Sequence, residues 1–570
     1  MNDKNIFDAL RDIDPAWILD AAPQKRSSPL RTWAKWGAIA ACFCLVVAAA
    51  LGIVFRQKGT EDPNGGSPFH THVFGEWKIT KEASCSEYGE ETRLCACGEK
   101  ETQPIALLPH FAGAWVIEKE PTIKLPTPDD PTQREPGLKC QFCNRCGAKL
   151  DEELIPATGS LGLAYAINPD GKTFAVAGIG NCTDDEIIVP ENFCGYHVTS
   201  VMKGAFNACE QLNSITLPET VTEIGEYAFR GSSLVSITLP EGLLVIGDTA
   251  FSDCDSLKEI TIPANAKIGK RAFEGCYALR RVILSEGIQA IAPYTFQDCW
   301  LLESVSLPDS LRSIGEMAFY DCSQLKEIHI PPSVTSIGEH AFSFCGSLKS
   351  ITLPKRLMRI EIGTFAYCYR LESVIIPSGV TQIRDGAFRE CNKLLSVNIP
   401  DSVVAMGDYV FGNCSSLERI TLPEGLTVIG ENMFSGCGAL REVNIPDSVQ
   451  RIGGNAFEYC NRLIQTEDGV GYVGNWAVSC DRSASHVVLR EGTVGLIDNL
   501  FYDYGKVAYV TVPRSVKYIG SRAFADISSL KEIFYQGTCE EWNTVEKGEN
   551  WDQYSSWYSV VFEPEQTGKS

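Results

Sequence analysis

The chain has 570 residues, a formal net charge of −22 and an ordinary content of apolar and aromatic residues. This length exceeds what one hydrophobic core serves, so we expect several structural units. The acidic charge argues against a nucleic-acid partner, because phosphates require a basic surface, and the apolar content argues against extensive disorder.

Residues 36–55 form an uncharged apolar stretch, WGAIAACFCLVVAAALGIVF. Twenty helical residues reach about 30 Å, the thickness of a bilayer hydrocarbon core. Basic residues dominate the preceding flank, which by the positive-inside rule places residues 1–35 in the cytoplasm and the chain after residue 56 outside. The sequence therefore predicts a single-pass protein of the cell membrane. A cleaved signal peptide is the alternative, since Ala48-Ala49-Ala50 offers small residues.

Two imperfect copies of a cysteine- and histidine-containing module span residues 70–157, after a linker at 56–69 whose GTEDPNGGSP composition is typical of flexible chains. Each copy begins with a histidine near an aromatic residue and ends in a cysteine-glycine knuckle. The predicted metal ligands are His72, Cys85, Cys95, Cys97, His110, Cys140, Cys143 and Cys146.

Thiolate and imidazole ligands suit tetrahedral zinc, and small modules usually need a staple. Disulfides outside the cell are one alternative and unpaired thiols are another. A catalytic zinc is not expected, because the stretch contains no HExxH-type helix. The sequence thus predicts no required cofactor and leaves a structural zinc open.

Phenylalanine recurs every 22 or 23 residues along more than half of the chain. A fixed period of this length indicates a solenoid, in which each coil buries its apolar face against its neighbours. The series is Phe206, Phe229, Phe251, Phe273, Phe296, Phe319, Phe342, Phe365, Phe388, Phe411, Phe434, Phe457, Phe501 and Phe524.

A typical repeat reads LERITLPEGLTVIGENMFSGCGA. Its LxxIxIP piece alternates as a β-strand does and predicts a parallel sheet of stacked strands. The VxxIG piece is predicted as a second short extended segment, whose glycine allows a tight bend. The AFxxCxxL piece predicts a helical or 3₁₀ turn. One degenerate coil is expected over 464–490, where the spacing of phenylalanines is close to two periods.

These motifs resemble the BspA-type leucine-rich repeat family of bacterial surface proteins over about residues 159–540. The late segment IFYQGTCEEWNTV is similar to the family's closing unit. The resemblance implies a β-rich leucine-rich repeat solenoid with a parallel sheet and short helical or 3₁₀ turns over residues 158–463. Over 464–570 it implies a degenerate repeat, the final repeats and a C-terminal cap. It also implies a role in adhesion.

A cysteine stands three residues after most of these phenylalanines, from Cys209 to Cys460. A metal wire and disulfides between coils are the two chemical interpretations. We favour a ladder of buried thiols, because the row has eleven members and tolerates Ser232, which pairwise bridges would not.

Aromatic side chains surround the phenylalanine–cysteine turn in several successive coils. Tryptophan and tyrosine dominate the energetic centres of interfaces, so these residues are predicted to bind an extracellular protein or glycan. Partial burial between turns is the alternative. The predicted binding residues are Tyr277, Trp300, Tyr320, Phe344, Tyr367 and Tyr369.

No nucleophile motif surrounds the scattered histidines, and no phosphate-binding glycine loop occurs, so the protein is predicted not to be an enzyme. The sequence predicts a membrane-anchored, monomeric bacterial surface protein that binds macromolecules through its solenoid. The alternative is a transmembrane sensor that passes ligand binding to a cytoplasmic regulatory partner through residues 1–35.

Overall fold

The structure is a computed structural model that describes residues 72–125 and 134–563. The predicted cytoplasmic segment 1–35, transmembrane helix 36–55 and linker 56–69 lie outside these residues. Within the part of the chain that is described, no helix is long and apolar enough to cross a bilayer.

The described chain divides into two compact units, and the first contains residues 72–116 and 140–152. An antiparallel sheet is formed by Lys78–Lys81, Gly89–Leu94 and Lys100–Ile105. A further three-stranded sheet has the order Ala112–Lys119, Gly137–Cys143, Lys149–Ile155.

The second unit contains the remaining described residues and is a β-solenoid. Short strands precede the regular coils and cover the first of them. These strands are Thr122–Ile123, Arg134–Glu135, Ala164–Ile167, Phe174–Gly178 and Asn192–Phe193.

The LxxIxIP pieces form a row of parallel strands, as the sequence predicts, with equivalent residues of successive coils in register. Their central isoleucine or valine points inward while its two neighbours face solvent, because side chains alternate along a strand. The strands are Glu186–Ile188, Ser214–Thr216, Ser236–Thr238, Glu259–Ile262, Arg281–Leu284, Ser304–Ser306, Ser350–Thr352, Ser373–Ile375, Ser396–Asn398, Arg419–Thr421, Glu442–Val443, His486–Val488, Tyr509–Pro513, Glu532–Gln536 and Ser559–Phe562.

The VxxIG pieces form a second row of short parallel strands on another side of each coil. These strands are Tyr196–Val201, Glu223–Ile224, Val245–Ile246, Lys267–Ile268, Ala290–Ile291, Ser313–Ile314, Ser336–Ile337, Arg359–Ile360, Gln382–Ile383, Ala405–Met406, Val428–Ile429, Arg451–Ile452, Trp476–Cys480, Gly495–Leu496, Tyr518–Ile519 and Glu546–Lys547.

The glycine that ends this piece is required by close packing between coils rather than by a special backbone angle. A Cβ atom on Gly247 or Gly269 would lie only 2.5 or 2.6 Å from backbone atoms of the preceding coil. Neither residue has a positive φ. The predicted reason for this glycine, a tight bend, is therefore replaced by the short distance between neighbouring backbones.

The AFxxCxxL piece is a series of turns, and the prediction of a helical or 3₁₀ turn is wrong. Residues two before and two after the phenylalanine are left-handed, as at Thr249 (φ 59°) and Asp253 (φ 60°) around Phe251. A right-handed helix cannot pass through such residues. The backbone N–H of each phenylalanine from Phe206 to Phe434 instead donates to a carbonyl of the next coil, at 2.6 to 3.0 Å. Backbone groups in the turns are thus satisfied between coils.

The phenylalanines form a continuous internal spine from Phe206 to Phe457. Every ring in this series is at most 1 % exposed. Neighbouring rings are nearly parallel, with centroids 4.9 to 5.8 Å apart and interplanar angles of 2 to 14°. The predicted stacking of coils along one buried row is confirmed.

The segment predicted as a degenerate coil contains an antiparallel meander of Gln465–Glu467, Val470–Val473 and Trp476–Cys480. The flanking coils still meet directly, because the N–H of Asp498 donates to the Ile452 carbonyl at 3.0 Å.

An ion pair between the exposed Arg451 and the buried Asp498 reinforces this junction. Nη2 and Nε of Arg451 lie 2.6 and 2.9 Å from Oδ2 of Asp498. The other carboxylate oxygen accepts the N–H of Ser521 at 2.8 Å. Asp498 is 5 % exposed, so its charge depends on these donors rather than on water.

A short helix, Cys539–Thr544, closes the end of the array. Thr538 and Glu541 form a capping box at its N-terminus. The N–H of Glu541 donates to Oγ1 of Thr538 at 3.2 Å, and the N–H of Thr538 donates to Oε2 of Glu541 at 3.0 Å. Trp542 turns inward and packs its ring against Tyr535 and Trp551. The last apolar face of the solenoid is therefore covered, as a solenoid terminus requires.

Candidate functional site

The six predicted binding aromatics, called the aromatic row below, form two stacked groups on the solenoid surface. Tyr277 and Trp300 are the first group, with ring centroids 4.3 Å apart. They are 37 and 46 % exposed. Their partial burial against each other leaves one ring face of the pair available to a ligand.

The second group contains the other four rings of the row. The rings of Phe344 and Tyr367 are stacked with centroids 4.3 Å apart, and the centroids of Tyr320 and Phe344 are 5.2 Å apart. Tyr369 stands edge-on to Tyr367 at 6.2 Å and is 42 % exposed. Tyr320, Phe344 and Tyr367 are half-buried, so they form a floor, whereas Tyr369 projects from it.

Phe344 and Tyr367 occupy a left-handed position in their coils, with φ of 62 and 61°. Most coils place glycine, aspartate or asparagine there, two residues after the spine phenylalanine. A bulky aromatic gains nothing from that backbone conformation, and such residues concentrate where function requires them. Phe344 and Tyr367 therefore depart from the residue types that this backbone position favours.

The same position supplies two carboxylates beside the row, Asp298 and Asp321, which sequence reasoning missed. No lysine or arginine forms an ion pair with either carboxylate within the described residues. Burial and the charge of Asp298 raise the pKa of Asp321, and a hydrogen bond with the Trp300 side chain opposes this shift. Their constant offset from the spine phenylalanine is the sequence signal that could have identified them.

A notch lies between the two groups of the row. Trp300 and Tyr369 stand four residues after their spine phenylalanines, and the two intervening coils carry Ser323 and Gly346 at that position. The spine rings of these coils lie 5.4 to 5.7 Å from one to the next, so Trp300 and Tyr369 stand on positions about 17 Å apart along the row. Ser323 and Gly346 add little side-chain volume next to the half-buried floor rings, and a Cβ atom on Gly346 would lie 3.5 Å from Cδ2 of Tyr369.

The thiols of the spine form a buried ladder, as predicted, except that its first predicted member, Cys209, is half-buried. Each cysteine from Cys254 to Cys460 is unexposed, and none is in a disulfide. Each S–H donates to the carbonyl of a phenylalanine one coil earlier, at 3.1 to 3.3 Å. Burial raises the pKa of Cys254 and of Cys414 to about 12, which keeps the proton that this bond requires.

We expect native-state alkylation at neutral pH to separate these thiols from exposed ones. The reactive species is the thiolate, which the ladder neither forms nor exposes. Iodoacetamide should label the exposed Cys539 within minutes and leave Cys276 and Cys345 unlabelled until the chain is unfolded. Peptide mass spectrometry measures the extent at each residue. Equal labelling rates in the native protein would contradict the ladder.

The predicted metal ligands of the first unit fall into two separate groups. The Cys₃His cluster consists of Cys85, His110, Cys143 and Cys146, whose ligand atoms all lie within 4.8 Å of one another. Sγ of Cys85 and Sγ of Cys143 are 3.7 Å apart. Sγ of Cys146 and Nδ1 of His110 are 3.5 Å apart. The cluster therefore joins one residue of the first copy to three of the second.

Backbone hydrogen bonds hold these ligand segments together. Leu108 donates to the carbonyl of Ser84 at 3.0 Å, and Asn144 donates to the carbonyl of Phe111 at 2.9 Å. In the knuckle, Arg145 donates its N–H to Sγ of Cys143 at 3.4 Å. These bonds hold together the backbone segments that carry Cys85, His110 and Cys143, within two residues of each ligand.

The thiols of the cluster differ in acidity. The pKa of Cys143 falls to about 5, because the Arg145 N–H and His110 outweigh the effect of burial. Contact with Cys146 and burial raise the pKa of Cys85 to about 11. A negative charge on one thiol opposes ionisation of the next.

The second group is His72, Cys95 and Cys97, with Nδ1 of His72 3.1 Å from Sγ of Cys97. A hydrogen bond from the backbone of Cys97 is the main cause that lowers the pKa of Cys95 to about 7. Cys140, predicted as a ligand, is fully buried and belongs to neither group among the described residues. The eight predicted residues thus resolve into four, three and one.

Comparison with known proteins identifies the repeats. The sequence profile described as "BspA type Leucine rich repeat region (6 copies)" matches in overlapping stretches, at residues 181–302, 246–368, 289–416, 340–464 and 462–545. No curated protein sequence matches the chain closely enough to count as a relative.

The chain is also similar to solved leucine-rich repeat structures. A leucine-rich repeat protein from Bacteroides ovatus ATCC 8483 is 27% identical, with a TM-score of 0.53 over 70% of this chain and 98% of its own. A leucine rich cell surface protein from Faecalibacterium prausnitzii A2-165 is 26% identical, with a TM-score of 0.41 over 68% of this chain and 97% of its own. With repeats matched over more than half of its length, the chain belongs to the BspA-type leucine-rich repeat family.

Proposed function

We propose that this chain is a non-enzymatic bacterial surface protein, anchored by residues 36–55, that binds an extracellular protein through the aromatic row. The observation that carries the proposal is the exposed pair of rings beside Asp298 and Asp321, two carboxylates that form no ion pair within the described residues. Family membership supports a scaffold role, since a solenoid offers an extended surface in place of a catalytic cleft.

The chemistry of the row favours a basic segment as the ligand. Lysine and arginine side chains are attracted to the faces of tryptophan and tyrosine. Asp298 and Asp321 add a negative charge that no ion pair of the described chain offsets. The net charge of −22 extends the same attraction over the whole molecule and speeds the approach of a cationic partner.

The notch sets the length of the segment that fits. An extended chain advances about 3.3 Å per residue, so about five residues fit between the positions of Trp300 and Tyr369. The floor of Tyr320, Phe344 and Tyr367 then contacts the middle of the segment, and the two projecting rings contact its ends. Rings in such a central, well-packed position typically carry most of the binding energy.

The sensor alternative depends on residues 1–35, which lie outside the described residues. No observation on the described chain favours it, so surface binding is the function that we propose. A specific cytoplasmic partner captured by the 1–35 peptide would reverse this preference.

We expect Trp300→Ala and Tyr369→Ala each to weaken ligand binding at least tenfold while the solenoid stays folded. Each substitution removes one wall of the notch, and central aromatics typically contribute 2 kcal/mol or more. The ligand is first found by screening the full chain against extracellular-matrix proteins and glycans. Affinities of the variants are then compared by surface plasmon resonance at two salt concentrations.

Tyr459→Ala is the matched control, since Tyr459 is an exposed aromatic at the same left-handed position, four coils beyond Tyr367. Its affinity should equal that of the parent chain. Gly346→Leu should fill the notch and weaken binding without removing a ring. Unchanged binding in both wall variants would eliminate the aromatic row, and salt-insensitive capture of a neutral glycan would eliminate the basic protein ligand.

A further inference from the structure

The first unit has almost no conventional hydrophobic core. Its buried apolar side chains, among the residues that the structure describes, are all cysteines: Cys85, Cys95, Cys140 and Cys143. Large apolar side chains of the same unit lie at the surface instead, including Ile79 at 61 % exposure and Phe111 at 62 %. A module this small cannot fold on so little apolar burial, and natural examples use disulfides or a metal.

The geometry of the Cys₃His cluster distinguishes a metal from disulfides. A disulfide holds its sulfurs about 2.05 Å apart. Tetrahedral zinc, with Zn–S bonds of about 2.3 Å and a Zn–N bond of about 2.0 Å, requires S···S edges of about 3.8 Å and S···N edges of about 3.5 Å. Two of the six edges in the structure are 3.7 Å, between Cys85 and Cys143, and 3.5 Å, between Cys146 and His110, and all six are within 4.8 Å.

The composition of the cluster leads to the same result. Three thiols cannot all be paired with one another, and the imidazole has no part in a disulfide. Three thiolates and one histidine are a complete ligand set for structural zinc, with no position left open for substrate. The N–H bond from Arg145 to Sγ of Cys143 is the support that a metal-bound thiolate commonly receives.

We infer that the Cys₃His cluster binds one structural zinc ion, which serves as the core of the first unit. The ion joins the three ligand segments that backbone hydrogen bonds already bring together. It makes folding of this unit dependent on metal, because ligand binding and folding are then one equilibrium. The solenoid, which has its own phenylalanine spine, does not share this dependence.

The test measures the metal content of the full chain by elemental mass spectrometry after gel filtration in metal-free buffer. We expect Cys146→Ser and His110→Ala each to lose one zinc per chain relative to the parent. The difference between variant and parent is the informative quantity, because any metal held by the second group, His72, Cys95 and Cys97, is the same in both and cancels. Cys539→Ser, at an exposed cysteine outside both groups, should change nothing.

A cobalt-substituted chain provides a readout that loss of folding cannot imitate. The parent should show the visible absorption of tetrahedral cobalt with thiolate ligands. His110→Cys should retain the metal, since it completes a four-thiolate site, with a shifted spectrum. Zinc content unchanged in both Cys146→Ser and His110→Ala would overturn the inference. A parent chain that is isolated oxidised, with Cys85 in a disulfide, would overturn it as well.

Discussion

Phe342→Ala should lower the stability of the surrounding coils by about 3–5 kcal/mol, the usual cost of removing a buried phenylalanine ring. Phe342 is unexposed and lies 5.4 and 5.7 Å from the ring centroids of Phe319 and Phe365. The backbones of Phe319 and Phe365 are each hydrogen-bonded to the following coil, so the two rings cannot move together to fill the space left by Phe342. The cavity therefore persists, and the loss of stability reaches the upper part of this range.

Hydrogen exchange is the appropriate measurement, because a solenoid gains stability coil by coil and has no single unfolding free energy. Amides of the coils next to Phe342 should lose protection by a factor of about one hundred or more, while remote coils change little. Phe344→Ala is the matched control, since its ring is half-buried on the surface two residues away. Equal losses in the two variants would refute the spine as the main source of stability.

Asp498→Ala should destabilise the junction around the meander by about 2–3 kcal/mol. The change leaves the N–H of Ser521 and the guanidinium of Arg451 without their acceptor. Loss of one partner from a buried hydrogen-bonded pair costs more than the pair itself contributes. The side chain of Arg451 is 56 % exposed and keeps some hydration, which holds the cost below the largest values known for buried pairs.

Limited proteolysis at residues 464–498 measures this effect, because a weakened junction exposes the meander to cleavage. Asp498→Asn should retain part of the stability, since its single amide oxygen still accepts from either Arg451 or Ser521, which bind different oxygens of Asp498. Glu442→Gln is the surface control, as its pair with Arg419 is 71 and 75 % exposed and contributes little. If Asp498→Ala is cleaved no faster than Glu442→Gln, the ion pair does not secure the junction.

The periodic features of this fold could be derived from sequence because each is repeated in every coil. One phenylalanine at a fixed spacing indicates nothing, but fourteen of them permit only an arrangement in which equivalent residues stack. The strand LxxIxIP and the thiol ladder follow from the same reasoning. Their structural counterparts are the parallel rows and the stacked rings of Phe206 to Phe457.

The turns could not be derived in this way. Their left-handed residues include Tyr227 and Met317, residue types that give no hint of a positive φ. The requirement comes from the neighbouring coil, which accepts each turn's hydrogen bonds, and not from local propensity. The meander did carry a signal, because Asp468-Gly469 and Gly474-Asn475 are hairpin dipeptides. The spacing of 44 residues between Phe457 and Phe501, close to two periods, indicated a degenerate coil instead of a hairpin.

The candidate sites show the same division. The candidate metal ligands could be predicted from their residue types. Their division into two separate groups could not. Cys85 belongs to the first sequence copy and meets His110 and Cys143 only because two chain segments are hydrogen-bonded next to them. Likewise the aromatic row was visible as residue types, whereas the notch depends on the small residues Ser323 and Gly346 between its walls.

Because successive coils contact each other in the same way, the solenoid can gain or lose whole repeats. Deletion of residues 343–365 would join Phe342 to Ala366, two residues that stand in the same relation as the ends of any other repeat. The shortened product keeps its ring stack and both strand rows in phase. Unequal recombination can therefore lengthen or shorten this molecule by whole repeats, whereas loss of a fraction of a repeat breaks the phase of every coil that follows.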